Sequence, residues 1–166
     1  AIRINILIAI LCSQDMRDKE SKYHQGRFHP QNPEKYKGDS RNIIYRSSWE
    51  LRFMRYCDRK VNILEWGSEE FFIPYVDPTT NKVRRYYPDF IIKVQEQNGI
   101  IKKYLIEVKP KKQTRPPIRS PKKQQKTYIN EALTYEKNVA KWRAAKNWCE
   151  DRRIEFKIIT EDELGL

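Results

Sequence analysis

Three charged side chains of this sequence stand inside otherwise apolar, strand-like runs. Asp89 lies in RYYPDFII directly after Pro88, and Glu107 and Lys109 lie in YLIEVKPKK. In a strand, residues two apart project from one face, so Glu107 and Lys109 point together while Val108 points away. A hairpin joining the two runs through Asn98 and Gly99 leaves Asp89 and Glu107 at comparable distances from the turn, near enough to share a cleft. Two neighbouring carboxylates repel, which raises one pKa unless a divalent cation neutralises them. Mg²⁺, with Mn²⁺ as its substitute, takes oxygen ligands of this kind and usually keeps waters and a substrate phosphate. A cation so held polarises a phosphoryl oxygen and lowers the pKa of an attacking water. Lys109 is spaced to orient that water or to stabilise charge growing on the phosphate. The same residues also suit a plainer arrangement, in which Glu107 and Lys109 form a cross-strand ion pair on a solvated face and Asp89 is a bulge residue after Pro88.

A fourth acid, Glu50, lies in YRSSWELRFMRYCDRK. Ser47 and Glu50 have capping-box spacing, and Trp49, Phe53 and Tyr56 recur at helical spacing, so a helix starts here and ends near Lys60. Capping alone accounts for Glu50; a chemical role requires it to face the cleft from this helix.

The elements that must position these residues follow in order. After ILEWGSEE, to which no element is assigned, FFIPYVD reads as a strand and DPTTNK as a turn. RRYYPDFIIKV is a second strand, QEQNG a hairpin connection, and IIKKYLIEVK a third strand. From Thr127 to about Arg152 the chain is helical, with Ile129, Ala132, Tyr135, Val139, Trp142, Ala145 and Cys149 on one stripe expected to pack on the sheet. IEFKIIT alternates Ile154, Phe156 and Ile158 inward as a fourth strand, and Thr160 with Glu163 repeats the capping-box pattern. The sum is αβββαβ, an α/β fold with a mixed central sheet flanked by helices. Residues 1–43 read as an N-terminal extension and polar arm, and residues 44–166 as the domain.

Between the third strand and the second helix lies PKKQTRPPIRSPKKQQK, basic and interrupted by Pro110, Pro116, Pro117 and Pro121, where no regular element is expected. Lys111, Lys112 and Arg115 are candidate phosphate contacts, and Gln113 a neutral hydrogen-bonding one; a solvated loop is the alternative. The whole chain points the same way. Its 166 residues carry 34 Lys and Arg against 22 Asp and Glu, a formal net charge of +12, which implies a polyanionic partner, nucleic acid first and an anionic membrane surface second.

Cys12, Cys57 and Cys149 have no metal spacing and read as buried small residues. His24 and His29 read as exposed loop residues. AIRINILIAILC is too short to span a bilayer, and Ala1 to Asp15 are read as preceding a natural start at Met16. There is no Gly-rich phosphate loop and no nucleophile elbow.

Pro88-Asp89 followed by Glu107-Val108-Lys109 resembles the PD-(D/E)-x-K nuclease superfamily. The set YRSSWE, W-GSEE, IPY, RRYYPDF and IEVKPKKQT is similar, more narrowly, to the head completion nucleases of tailed phages. The resemblance implies an αβββαβ core, with Asp89 and Glu107 as metal ligands, Lys109 as the catalytic lysine, and Glu50 as the helix-borne acid supporting the metal site. It also implies a backbone carbonyl ligand at Val108. An endonuclease of this kind would act on packaged double-stranded DNA beside phage head or portal proteins, in the host cytoplasm during assembly or with the virion. Transposon-end-cleaving endonucleases share the arrangement and are the nearest alternative. A non-catalytic DNA-binding capsid-assembly protein is another. No self-complementary patch is legible, so the oligomeric state is left open.

Overall fold

Pro88 splits the RRYYPDFIIKV run into two strands that belong to different sheets. The computed structural model describes residues 25–165; Ala1 to Asp15, Met16, Cys12 and His24 lie outside the described residues. Within them the order is β1 (Gly26–Phe28), β2 (Ile43–Tyr45), α1 (Ser48–Arg59), β3 (Ile63–Gly67), β4 (Ile73–Asp77), β5 (Lys82–Tyr86), β6 (Phe90–Gln95), β7 (Ile101–Val108), α2 (Gln125–Glu150), β8 (Glu155–Ile159) and α3 (Glu161–Leu164). A proline has no N–H to give a ladder, so β5 and β6 end and begin on either side of it.

The main sheet has the order β3-β6-β7-β8, antiparallel except for the parallel β7–β8 pair. Parallel neighbours need a long crossover, and α2 supplies it. The expected αβββαβ order therefore stands as α1, β3, β6, β7, α2, β8, but its first strand is Ile63–Gly67 and not FFIPYVD. That segment forms β4, which pairs with β5 in a separate two-stranded hairpin. β3 escapes period-2 reading because a bulge between Ile63 and Glu65 puts Ile63 and Trp66, three residues apart, on one buried face opposite Val94 and Ile92.

Alternation along β7 divides the core. Tyr104, Ile106 and Val108 pack with Phe53, Met54 and Cys57 of α1, with Trp66, and with Phe90 and Ile92 of β6. Leu105 faces the other way, against Ala145 and Cys149 of α2 and Ile73, Tyr75 and Tyr86 of the hairpin. Cys57 and Cys149 are buried thiols outside any disulfide, as small apolar residues should be.

The polar segment before α1 is not a loop from residue 25 onward. β1 and β2 pair antiparallel, and Phe28, Tyr36 and Ile43 are buried with Trp66. Asp58, itself buried, accepts hydrogen bonds from the Gln31 and Asn32 amides at 2.8 and 2.9 Å, tying this segment to the end of α1. These contacts are tertiary, so composition alone hides them.

α1 starts and stops where its caps predict: Ser47 Oγ accepts from the Glu50 amide at 3.1 Å, and Lys60 is the C-cap. α2 buries Asn138, Trp142, Ala145 and Cys149 only, while Ile129 and Leu133 in its first half remain exposed. The predicted stripe is thus used over the C-terminal half of the helix. The capping box of α3 is complete, with Thr160 and Glu163 in reciprocal bonds.

Candidate active site

The site lies where β6 and β7 separate at the end of their ladder. Phe90 pairs with Ile106, so extending that antiparallel register by one position sets Asp89 opposite Glu107 and on the same face. Pro88 frees Asp89 from strand pairing, and its side chain caps the ladder instead: Oδ2 accepts from the Val108 amide at 2.8 Å. On the far side of β7, the Lys109 amide donates to the Ile159 carbonyl at 2.9 Å. The backbone on both sides of the Glu107–Lys109 segment is therefore held, by Asp89 on one flank and β8 on the other.

Glu107 is buried, at 3% exposure, which a carboxylate tolerates only with partners. Oε1 lies 3.2 Å from Lys109 Nζ, and Oε2 accepts a short hydrogen bond from the Tyr86 hydroxyl. Burial and then the Glu107 charge push the Tyr86 phenol strongly up, so it stays protonated as a donor. Burial first, and then Glu107 across the ladder, hold the Asp89 carboxyl well above the aspartate range; the Val108 amide and Lys109 oppose this without cancelling it. Burial alone would depress the Lys109 ammonium, but Glu107, Asp89 and the more distant Glu50 outweigh it and raise its pKa.

Lys141 and Tyr86 join the site without having been marked by motif spacing. Lys141 Nζ lies 5.8 Å from the ring centroids of both Tyr75 and Tyr86, on the face that carries Glu107. Burial and the neighbouring Lys109 charge lower its pKa. The signal for it was present: Lys141, Ala145 and Cys149 are spaced by four, so a lysine continues a buried helical stripe. Tyr86 is the inward member of the Tyr86-Tyr87 pair before Pro88.

Glu50 is placed differently from the strand-borne acids. Its helix packs on the opposite layer, and its carboxylate accepts from the Arg46 amide at 2.8 Å and lies 3.1 Å from Ser47 Oγ. It contributes to the field at Asp89 and Lys109 while holding a capping position.

The basic segment after Lys109 contains one 3-10 turn, Lys111–Thr114, where no regular element was expected. Lys111 is engaged by α3: its amide donates to Glu161 Oε2 and its ammonium pairs with Asp162, each at 2.7 Å. Lys123 pairs with Glu131 at 2.6 Å. Lys112, Gln113 and Arg115 are exposed.

The donor chemistry suits a hard divalent cation. Two carboxylates meet at one cleft, and their mutual repulsion is what such a cation relieves. Among the described residues no cluster of three or more His, Cys, Asp or Glu is gathered; one or two carboxylates with waters and phosphate are the usual Mg²⁺ complement.

A mixed sheet with an acidic pair and a lysine at one end of its central hairpin is the framework of a PD-(D/E)-x-K nuclease. The chain belongs to this class through the family described as TnsA-like endonuclease N terminal, whose model matches residues 60–161. That span includes Asp89, Glu107, Lys109 and Lys141 and leaves Glu50 outside. Nucleases of this type generally use divalent metals. The head completion nuclease of Enterobacteria phage T4 is 40% identical over 144 residues, covering 85% of this chain and 93% of the relative. The chain is thus a homologue of a head completion nuclease, as its motifs implied. No helix among the described residues is long and apolar enough to cross a membrane.

Proposed function

We propose that this protein is a Mg²⁺-dependent endonuclease that hydrolyses phosphodiester bonds of double-stranded DNA during completion of a phage head. The observation that carries the chemistry is the convergence of Asp89 and Glu107 at the open end of the β6–β7 ladder, with Lys109 3.2 Å from Glu107. Similarity over nearly the whole length of the phage relative supports the assembly role over transposon-end cleavage.

Asp89 and Glu107 would hold the cation, together with the Val108 carbonyl. The Val108 amide points to Asp89, and the N–H and C=O of one strand residue point to the same side. When bound, the cation supplies charge neutralisation and a water of lowered pKa beside the phosphate. Tyr86 fixes the Glu107 carboxylate by donating to Oε2, a charge-assisted bond of about 1.5–3 kcal/mol. Lys109 directs its ammonium into the same space, where it orients the attacking water and stabilises charge on the phosphate. Lys141 adds a second positive charge from α2 for the approaching backbone. Glu50 supports the site through its field, and Lys112, Gln113 and Arg115 extend the contact along DNA.

Plasmid cleavage with and without Mg²⁺ or Mn²⁺ tests this reading. Wild type is expected to nick or linearise DNA only with the metal, and Asp89→Asn to lose that activity while keeping its circular dichroism spectrum. Cleavage by Asp89→Asn at the wild-type rate would refute the assignment. DNA binding without cleavage by wild type under either metal would favour a non-catalytic assembly protein.

A further inference from the structure

The β4–β5 hairpin uses only one of its faces for packing. Ile73, Tyr75 and Tyr86 point inward to α2 and the site. The outer face carries Phe72, Pro74 and Val76 opposite Tyr87, Arg85 and Val83, all exposed. Contiguous exposed apolar side chains mark a contact surface where single ones do not.

The end of this face nearest the site has a distinct composition. Ile73 pairs with Tyr86, so the next position sets Phe72 across from Tyr87. Their ring centroids are 5.9 Å apart at 54°, with the Arg85 guanidinium 4.7 Å over the Phe72 ring. The two rings are 44% and 43% exposed. Tyr87 lies two residues before Asp89, a reach of at most about 7 Å, or about two steps of 3.4 Å along a DNA strand. Arg85 is the cation of this face; Lys82 and Arg84 alternate onto the inward one, where Arg84 lies 3.8 Å from Asp77. Exposed aromatic rings with an arginine stacked on them present the kind of surface that binds the π-faces of bases.

From this juxtaposition we infer that Phe72 and Tyr87, braced by Arg85, stack on an unpaired base one or two nucleotides from the scissile phosphate. The nuclease accordingly prefers DNA with interrupted pairing, such as a frayed end, a flap or a mismatch, over continuous duplex. Stacking requires a base whose face is free, and continuous duplex offers none. The inference rests on the reading of Asp89 as part of the cleavage centre.

Two DNAs of one sequence test it, one fully paired and one with a short unpaired run containing 2-aminopurine. Wild type is expected to cut the open DNA faster and next to the unpaired run. Phe72→Ala and Phe72→Leu should each reduce that preference by about ten-fold, the leucine variant keeping the apolar bulk and hence the fold. In an Asp89→Asn background, binding should quench the 2-aminopurine, and adding Phe72→Leu or Tyr87→Ala should abolish the quenching. Unchanged preference and unchanged quenching in these variants would overturn the platform and leave the face to a protein partner. The fluorescence arm needs no cleavage. Quenching without cleavage of either DNA by wild type would refute the nuclease reading and uphold the stacking platform.

Discussion

The carboxylate end of β6–β7 and the basic segment Lys111–Lys126 adjoin in the chain, both carry charges, and are built in opposite ways. At the first, strand register sets Asp89 against Glu107, and each charge has partners supplied by neighbouring elements: Val108 for Asp89, Tyr86 and Lys109 for Glu107. Burial amplifies these interactions and, with the Glu107 charge, holds the Asp89 carboxyl above its ordinary range. At the second, most side chains are exposed on a proline-broken stretch that runs from a 3-10 turn to the start of α2, and their engagement varies from residue to residue. Lys111 and Lys123 are committed to Asp162 and Glu131, whereas Lys112 and Arg115 extend outward. Chemistry needs the first construction, because reacting atoms must be held in place. Sequence-independent attraction of phosphates needs only the second.

The sharpest way to break this contrast is Lys109→Ala. Loss of a positioned charge at the reacting phosphate should lower the cleavage rate by about 10²–10³, with little change in DNA affinity, as single-turnover kinetics and a binding titration would show. A rate within ten-fold of wild type would place Lys109 with the loop lysines. Next in size are the loop residues themselves. Lys112→Ala and Arg115→Ala should each reduce the slope of log affinity against log salt by about 0.9. Lys111→Ala should change it less, since Asp162 already neutralises that ammonium. Equal slopes for Lys111 and Lys112 variants in salt-dependent anisotropy titrations would erase the distinction within the loop.

The smallest effect concerns stability and pH. With Asp89 raised above its ordinary value of 3.8, the metal-free native state keeps a proton that the unfolded chain has released. Across the window from that value upward, stability should therefore rise as pH falls. Asp89→Asn should flatten this dependence in urea titrations run in EDTA, and a profile identical to wild type would deny the repulsion at the site. Below the window the sign reverses, because hydrogen bonds from Thr79 hold the Asp77 carboxyl below its usual range and protonating it forfeits stability.

Much of the fold was legible where local signals suffice. The caps of α1 and α3, the Asn98-Gly99 turn and the Glu107–Lys109 face all follow from short-range rules. β3 was not legible, because a bulge after Ile63 breaks the alternation of a short strand. Nor was the separation of β5 from β6: Pro88 signalled an irregularity, but only strand pairing distinguishes a bulge from a change of sheet. Residues 25–43 look polar because their anchors, Phe28, Tyr36 and Ile43, stand singly in polar sequence, too far apart to make a periodic run.

The sequence by itself determined that Glu107 and Lys109 share a face, that Asp89 interrupts an apolar strand after a proline, and that a strongly basic chain surrounds them. These are consequences of strand period and composition, which need no knowledge of distant residues. Tertiary structure decided that Asp89 and Glu107 meet, that Tyr86 and Lys141 attend them, and that Asp162 withdraws Lys111 from the basic loop. Each of those depends on which elements pack together, and burial is what turns proximity into a large shift in charge.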